Sequence, residues 1–138
     1  MMNYVFDSSF VTALIIPDEK NHQVDKMYSR VRNEDERFIP CLFWFEITNV
    51  LKNLIRRGRF TTAEVMQFYP RLDAISFACD HAAGSDYSKK LLNLCNEYNL
   101  SSYDAAYLEL AERKNAILCT LDDSLRTAAK KYGVAMLK

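Results

Sequence analysis

The residues that could do chemistry in this chain are four acids, Asp7, Glu46, Asp104 and Asp122. Asp7 ends the short β-prone run Asn3-Tyr4-Val5-Phe6, and Asp122 follows Ala116-Ile117-Leu118-Cys119 after Thr120-Leu121. A carboxylate just past a buried strand stands where open α/β sheets take their ligands, or else it caps the next helix. For Asp7 both roles stay open, since Ser8 and Ser9 could cap equally well. Glu46 is the single acid among Leu42, Phe43, Trp44, Phe45, Ile47, Val50, Leu51, Leu54 and Ile55. A lone carboxylate in such surroundings needs a cation, a hydrogen-bonding partner or a route to water. Asn49, one turn on, shares its face and can donate to it; partial exposure with an arginine partner is the alternative. Asp104 follows Ser101-Ser102, either of which can cap a helix, so it falls in a first turn where the macrodipole alone favours an anion. Ala105 and Ala106 are expected to leave room beside it, and Tyr103 and Tyr107, one turn apart, to share the packed face.

Converging on one cleft, four carboxylates would repel one another strongly unless they bound a cation. Oxygen donors with no histidine or thiolate suit Mg2+ or Mn2+ rather than zinc. Two such ions about 4 Å apart can clamp the attacking and leaving oxygens of a phosphodiester. Metal-activated water attacking a phosphate is the chemistry these types suggest.

The elements that must position the acids read as alternating strand and helix. Asn3–Phe6 is a strand and Phe10–Ile16 a helix; Pro17–Asn21 is a polar connection, and Gln23–Arg32 is an amphipathic helix with Val24, Met27, Tyr28 and Val31 on one stripe. Arg37–Ile39 is a strand closed by Pro40, and Cys41–Arg57 is the most apolar helix, with Gly58 at its end. Thr61-Thr62-Ala63-Glu64 opens a helix with a capping-box pattern that runs to Tyr69 and stops at Pro70. Leu72–Phe77 alternates like a strand; Asp80-His81 leads into a helix from Ala82 to Tyr98 with Leu91, Leu92, Leu94 and Cys95 inward. The Asp104 helix, the strand Ala116–Cys119, a helix Ser124–Lys131 and an edge strand Val134–Leu137 complete the chain. Such alternation implies a parallel sheet with helices on both faces, which brings Asp7 and Asp122 to the same carboxyl edge.

Composition narrows the function classes. The 138 residues make one domain, and 49% apolar with 26% charged residues argues against disorder. Eighteen basic and eighteen acidic residues cancel, so nucleic acid would be held by a local patch. Lys52, Arg56, Arg57 and Arg59 are the candidate patch, although basic residues at a helix end also complement the dipole. Cys41, Cys79, Cys95 and Cys119 are widely spaced with no C-x-x-C pair; beside only His22 and His81, they read as small core residues of a reducing cytosol rather than as a zinc site. His81 reads as a turn or cap residue. No signal peptide and no membrane-spanning run is visible, and a cytoplasmic protein is expected.

Four segments resemble the PIN domain family, and within it the VapC-type toxin ribonucleases of toxin–antitoxin modules: Val5-Phe6-Asp7-Ser8-Ser9, Glu46-Ile47-Thr48-Asn49-Val50-Leu51, Leu100-Ser101-Ser102-Tyr103-Asp104-Ala105-Ala106-Tyr107 and Cys119-Thr120-Leu121-Asp122-Asp123-Ser124-Leu125. The resemblance spans essentially the whole chain, in order. It implies a three-layer α/β/α sandwich with a short, mainly parallel central sheet over residues 1–138. It further implies that Asp7, Glu46, Asp104 and Asp122 form a catalytic metal site, supported by Ser8, Asn49 and Thr120. Asp123 either shares that site or caps the last helix. The implied activity is Mg2+- or Mn2+-dependent RNA cleavage by a toxin that forms a homodimer and is held in check by a cognate antitoxin. A housekeeping RNA-processing nuclease and a catalytically silent binding module are the competing expectations. A phospho-acceptor domain built on Asp7 would need paired acids near the first strand and a late lysine beside the acceptor, and no such set is visible.

Overall fold

Tyr4 and Phe6 face one side of the first strand and Val5 the other, and all three are buried, so this strand must lie inside a covered sheet. A computed structural model of the chain describes residues 1–17 and 21–137. The strands are β1 (Asn3–Phe6), β2 (Glu36–Pro40), β3 (Ala78–Asp80) and β4 (Ile117–Cys119). They pair in parallel in the order β3-β2-β1-β4, with Val5 opposite Phe38 and Leu118, and Ile39 opposite Cys79. The chain starts at β1, steps outward through β2 to β3, then returns across β1 to β4. The direction of winding therefore reverses between β1 and β4, which opens a crevice beyond their carboxyl ends.

On the Tyr4–Phe6 face lie α1 (Ser8–Ile15), α2 (His22–Tyr28), α3 (Leu42–Arg56), α4 (Thr62–Met66) and α5 (Tyr69–Ile75). The opposite face carries α6 (Ser85–Tyr98), α7 (Ser102–Arg113) and α8 (Asp123–Tyr132). The expected α/β/α sandwich with a short parallel sheet is what the chain forms. In α3, Phe43, Ile47, Leu51 and Leu54 recur at helical spacing and are buried. The helix ends in a Schellman turn: Gly58 takes φ 74°, its N–H donates to Ile55 O and that of Arg59 to Leu54 O. By contrast α7 is buried on every side from Ala105 to Ala111, because it lies between the sheet and its neighbours α6 and α8.

Several expected elements differ. Pro70 starts a helix instead of stopping one: it occupies the first turn of α5, where its missing N–H costs nothing. Leu72–Phe77 is accordingly mostly helix, with Leu72 and Ile75 inward, and the strand comes later at Ala78–Asp80. Val134–Leu137 forms only a single parallel bridge, Leu118 to Met136, beside β4. The second helix is shorter, His22–Tyr28; α6 begins at Ser85, and Leu92 on it is exposed. Of the polar connection Pro17–Asn21, residues Asp18, Glu19 and Lys20 lie outside the described residues.

Candidate active site

Asp7 takes the capping role its sequence position allowed, and does so at the carboxyl edge of the sheet. Its Oδ1 accepts from Phe10 N at 3.0 Å and from Ser9 Oγ at 2.7 Å, capping α1. Its Oδ2 accepts from Thr120 Oγ1, which in turn accepts from Asp122 N at 3.0 Å. Ser9 Oγ also accepts from Leu121 N at 3.0 Å, so the turn after β4 is laced to the turn after β1. Thr120 is 0% exposed, and its hydroxyl links the two strand-end acids. Asp122 caps α8 through Oδ2 to Leu125 N at 2.8 Å. Asp104 is the third residue of α7, its own N–H donating to the Ser101 cap at 3.2 Å. Three helix N-termini thus open on one crevice, each with a carboxylate on its positive end.

Glu46 reaches the crevice from α3. Its partner is no arginine but the buried Tyr107, whose hydroxyl donates to Oε1 at 2.5 Å. Trp44 and Phe45 flank it yet turn outward, Phe45 being 75% exposed, so Glu46 is half-buried rather than enclosed. Tyr103 is 60% exposed instead of sharing the packed face with Tyr107. Leu42, Phe45, Glu46, Asn49 and Tyr103 line one recess. Ala105 and Ala106 are fully buried, and their small size lets α7 approach the sheet, while Asp104 before them stays half-buried. Asp123 is exposed in the first turn of α8. Lys52, Arg56 and Arg57 are exposed along and just past the far end of α3, with Arg59 in the turn that follows. At the helical rise, Arg56 lies about 15 Å along the axis from Glu46.

The electrostatics mark the crevice as an under-neutralised negative site. Burial raises the Asp7 pKa above its ordinary value; its three hydrogen-bond donors oppose this, and the Asp122 charge adds to it. Glu46 is raised by burial and by the fields of Asp7 and Asp104, against the Tyr107 and Ser8 hydroxyls that favour its charged form. Asp104 is raised by burial, then by Asp122 and Asp7. No basic side chain is among the principal influences on any of the three. Acids pushed toward neutrality by one another fit a divalent cation, which would relieve that repulsion. Among the described residues no three of the acids bring ligand oxygens within 4.8 Å of one another.

A family model described as PIN domain matches residues 4–131. The chain belongs to the PIN domain family. Ribonuclease VapC3 of Pyrobaculum aerophilum is 29% identical over 131 residues, covering 95% of each chain. A crystal structure from the same organism superposes with a TM-score of 0.69 at 25% identity, covering 92% of this chain and 79% of that one. A toxin–antitoxin complex from Klebsiella pneumoniae shares the fold with a TM-score of 0.59 at 18% identity, covering 86% of each chain. The strand order places the crevice between β1 and β4, beside the helix ends that Asp7 and Asp122 cap.

Tyr107, Ser9, Phe45 and Tyr103 lie against or beside the acids, and sequence reasoning either missed this or took them for packing. Spacing could have flagged Tyr107, since a buried phenol seeks a partner for its hydroxyl. Nothing local distinguished Phe45 and Tyr103 from core aromatics. A second grouping was also hidden: Cys41, Cys79 and His81, read as scattered core and turn residues, lie together beyond β2 and β3.

Proposed function

We propose that this PIN domain is a divalent-metal-dependent endoribonuclease and the toxin of a toxin–antitoxin pair. The observation that carries the reading is the set Asp7, Glu46 and Asp104, raised together by burial and mutual repulsion at the switch point of the sheet. With Asp122 these residues would hold Mg2+ or Mn2+. When bound, such an ion makes a water nucleophilic at neutral pH and neutralises charge on the phosphate.

The chain's own groups do the remaining work. Thr120 orients Asp7 and holds the Asp122 backbone, and Tyr107 pins the Glu46 carboxylate in one rotamer. Helix N-termini facing the crevice favour an approaching phosphate. Phe45 and Tyr103, exposed beside Glu46, offer faces on which unpaired bases of single-stranded RNA stack. Asn49 presents an amide in the same recess, and Ser8 adds a hydroxyl next to Glu46 and Tyr107. Lys52, Arg56, Arg57 and Arg59 would track the phosphate backbone away from the cleavage point.

Similarity to a ribonuclease named VapC supports the RNA substrate, and the Klebsiella fold neighbour, solved as a toxin–antitoxin complex, suggests control by a bound antitoxin. The test is expression of the wild type and of Asp104→Asn. Growth arrest with Mg2+-dependent RNA cleavage is expected from the first only, with relief by the product of an adjacent small gene. Undiminished cleavage by clean Asp104→Asn would refute the assignment, and cleavage without growth arrest would leave a housekeeping nuclease instead.

A further inference from the structure

Beyond β2 and β3, on the other half of the same sheet edge, Cys41 Sγ lies 3.3 Å from Cys79 Sγ and 3.2 Å from His81 Nδ1. Among the described residues these three form the one group of histidine, cysteine and acid side chains whose ligand atoms all fall within 4.8 Å of one another. They come from three places: the residue capping α3, the middle of β3, and the turn after β3. We propose that Cys41, Cys79 and His81 form a binding site for a thiophilic divalent cation, zinc being the ordinary occupant.

Two thiolates and an imidazole are the donor set that tetrahedral zinc prefers. With zinc–sulfur bonds of about 2.3 Å, tetrahedral geometry separates two sulfurs by about 3.8 Å. The sulfurs at 3.3 Å need move apart by only a few tenths of an ångström, whereas a disulfide would require them to close to about 2.05 Å. His81 Nδ1 faces the sulfur, so with its proton on Nε2 the imidazole turns a lone pair toward the shared point. Both thiol protons leave to solvent on binding. Asp80 does not supply a fourth ligand: its carboxylate is held by Arg113 at 2.7 and 3.0 Å and accepts from Ala82 N. Cys41 and His81 are exposed, so the cation has an entry path and the fourth position is open to water. Binding clasps the three-residue edge strand β3 to the start of α3, five residues before Glu46.

Titration of the reduced protein with Co2+ in excess Mg2+, which occupies the acidic crevice, tests this. One equivalent is expected to give sulfur-to-cobalt charge-transfer absorption and the visible bands of tetrahedral cobalt, bleached by zinc. Cys41→Ser and Cys79→Ser should lose the charge-transfer band, and His81→Ala, on an exposed turn, should weaken binding at least about tenfold. Asp104→Asn should leave the spectrum unchanged. Absence of the band with both thiols shown to be reduced overturns the proposal, as does its survival in Cys41→Ser. Formation of a Cys41–Cys79 disulfide in preference to metal binding when zinc is present overturns it too. If Cys79→Ser fails to fold, Cys41→Ser and His81→Ala carry the result.

Discussion

One sheet edge carries two unlike sets of side chains. Beyond β1 and β4 the side chains are carboxylates on helix N-termini; along β3 and just past β2 and β3 they are two thiols and an imidazole. Parallel strands end together, so every strand of this sheet delivers its next residue to the same rim. What differs is the crevice. Winding reverses between β1 and β4, which opens a crevice, while β2 and β3 are adjacent steps of one winding, with no reversal between them. Strand order therefore sets which side chains share a neighbourhood on the rim, and residue type sets the chemistry they offer.

The largest expected effect breaks one site and spares the other. Asp104→Asn should lower Mg2+-dependent RNA cleavage about a thousandfold, several kcal/mol of transition-state stabilisation, with circular dichroism unchanged. Retention of both cleavage and Mn2+ binding by calorimetry would remove Asp104 from the metal site.

Thr120→Val tests the lacing between the strand ends. The isostere removes the donor to Asp7 and the acceptor for Asp122 N, and should cost about 10–100-fold in Mn2+ affinity or turnover. Orphaning those buried groups should also lower stability by about 1–3 kcal/mol in urea denaturation. A purely structural threonine would show the second effect without the first.

Substrate-facing residues come next. Phe45→Ala should weaken single-stranded RNA binding by about 1–3 kcal/mol while leaving stability unchanged, since the ring is exposed. Reversing Lys52, Arg56 and Arg57 together should reduce the slope of log affinity against log salt by about 0.7 for each phosphate no longer neutralised. An unchanged slope would dismiss the patch.

The subtlest effect is in pH. Asp7, Glu46 and Asp104 have raised pKa values, so the folded protein holds more protons than the unfolded chain between the ordinary carboxylate range and those raised values. Stability of the metal-free protein should fall as pH rises through that window, and saturating Mg2+ should reverse the trend. Melting curves across pH for the wild type and Asp104→Asn check this, the variant being expected to show the shallower decline. Tyr107→Phe removes a donor to the charged form of Glu46, so the acid limb of its pH–rate profile should move upward.

Much of this architecture is legible in the chain itself. The runs at Asn3–Phe6 and Ile117–Cys119, the capping serine at Ser101, the glycine after α3 and the strand-end acids are local signals, dictated by side-chain period, capping hydrogen bonds and φ preference. Alternating strand and helix was enough for a parallel sandwich. Where reading failed, two local rules competed. Pro70 ends a helix or begins one with equal sense, and the choice moved β3 along the chain. Alternation in Leu72–Phe77 was too short to separate period 2 from period 3.6.

Other features depend on elements distant in sequence, and only the tertiary structure decided them. Tyr107 meets Glu46 across 61 positions, Thr120 meets Asp7 across 113, and Cys41 meets Cys79 across 38. Burial splits in the same way. Phe45 and Ile47 belong to one helix and are similarly apolar, yet Ile47 is buried against the core while Phe45 stands in solvent beside the crevice. The sequence by itself determined which residues could be ligands and that strands would carry them to a common edge, because those properties reside in side-chain chemistry and short-range period. Strand order, and with it which ligands share a crevice, follows from long-range pairing and packing, for which adjacent residues hold no record.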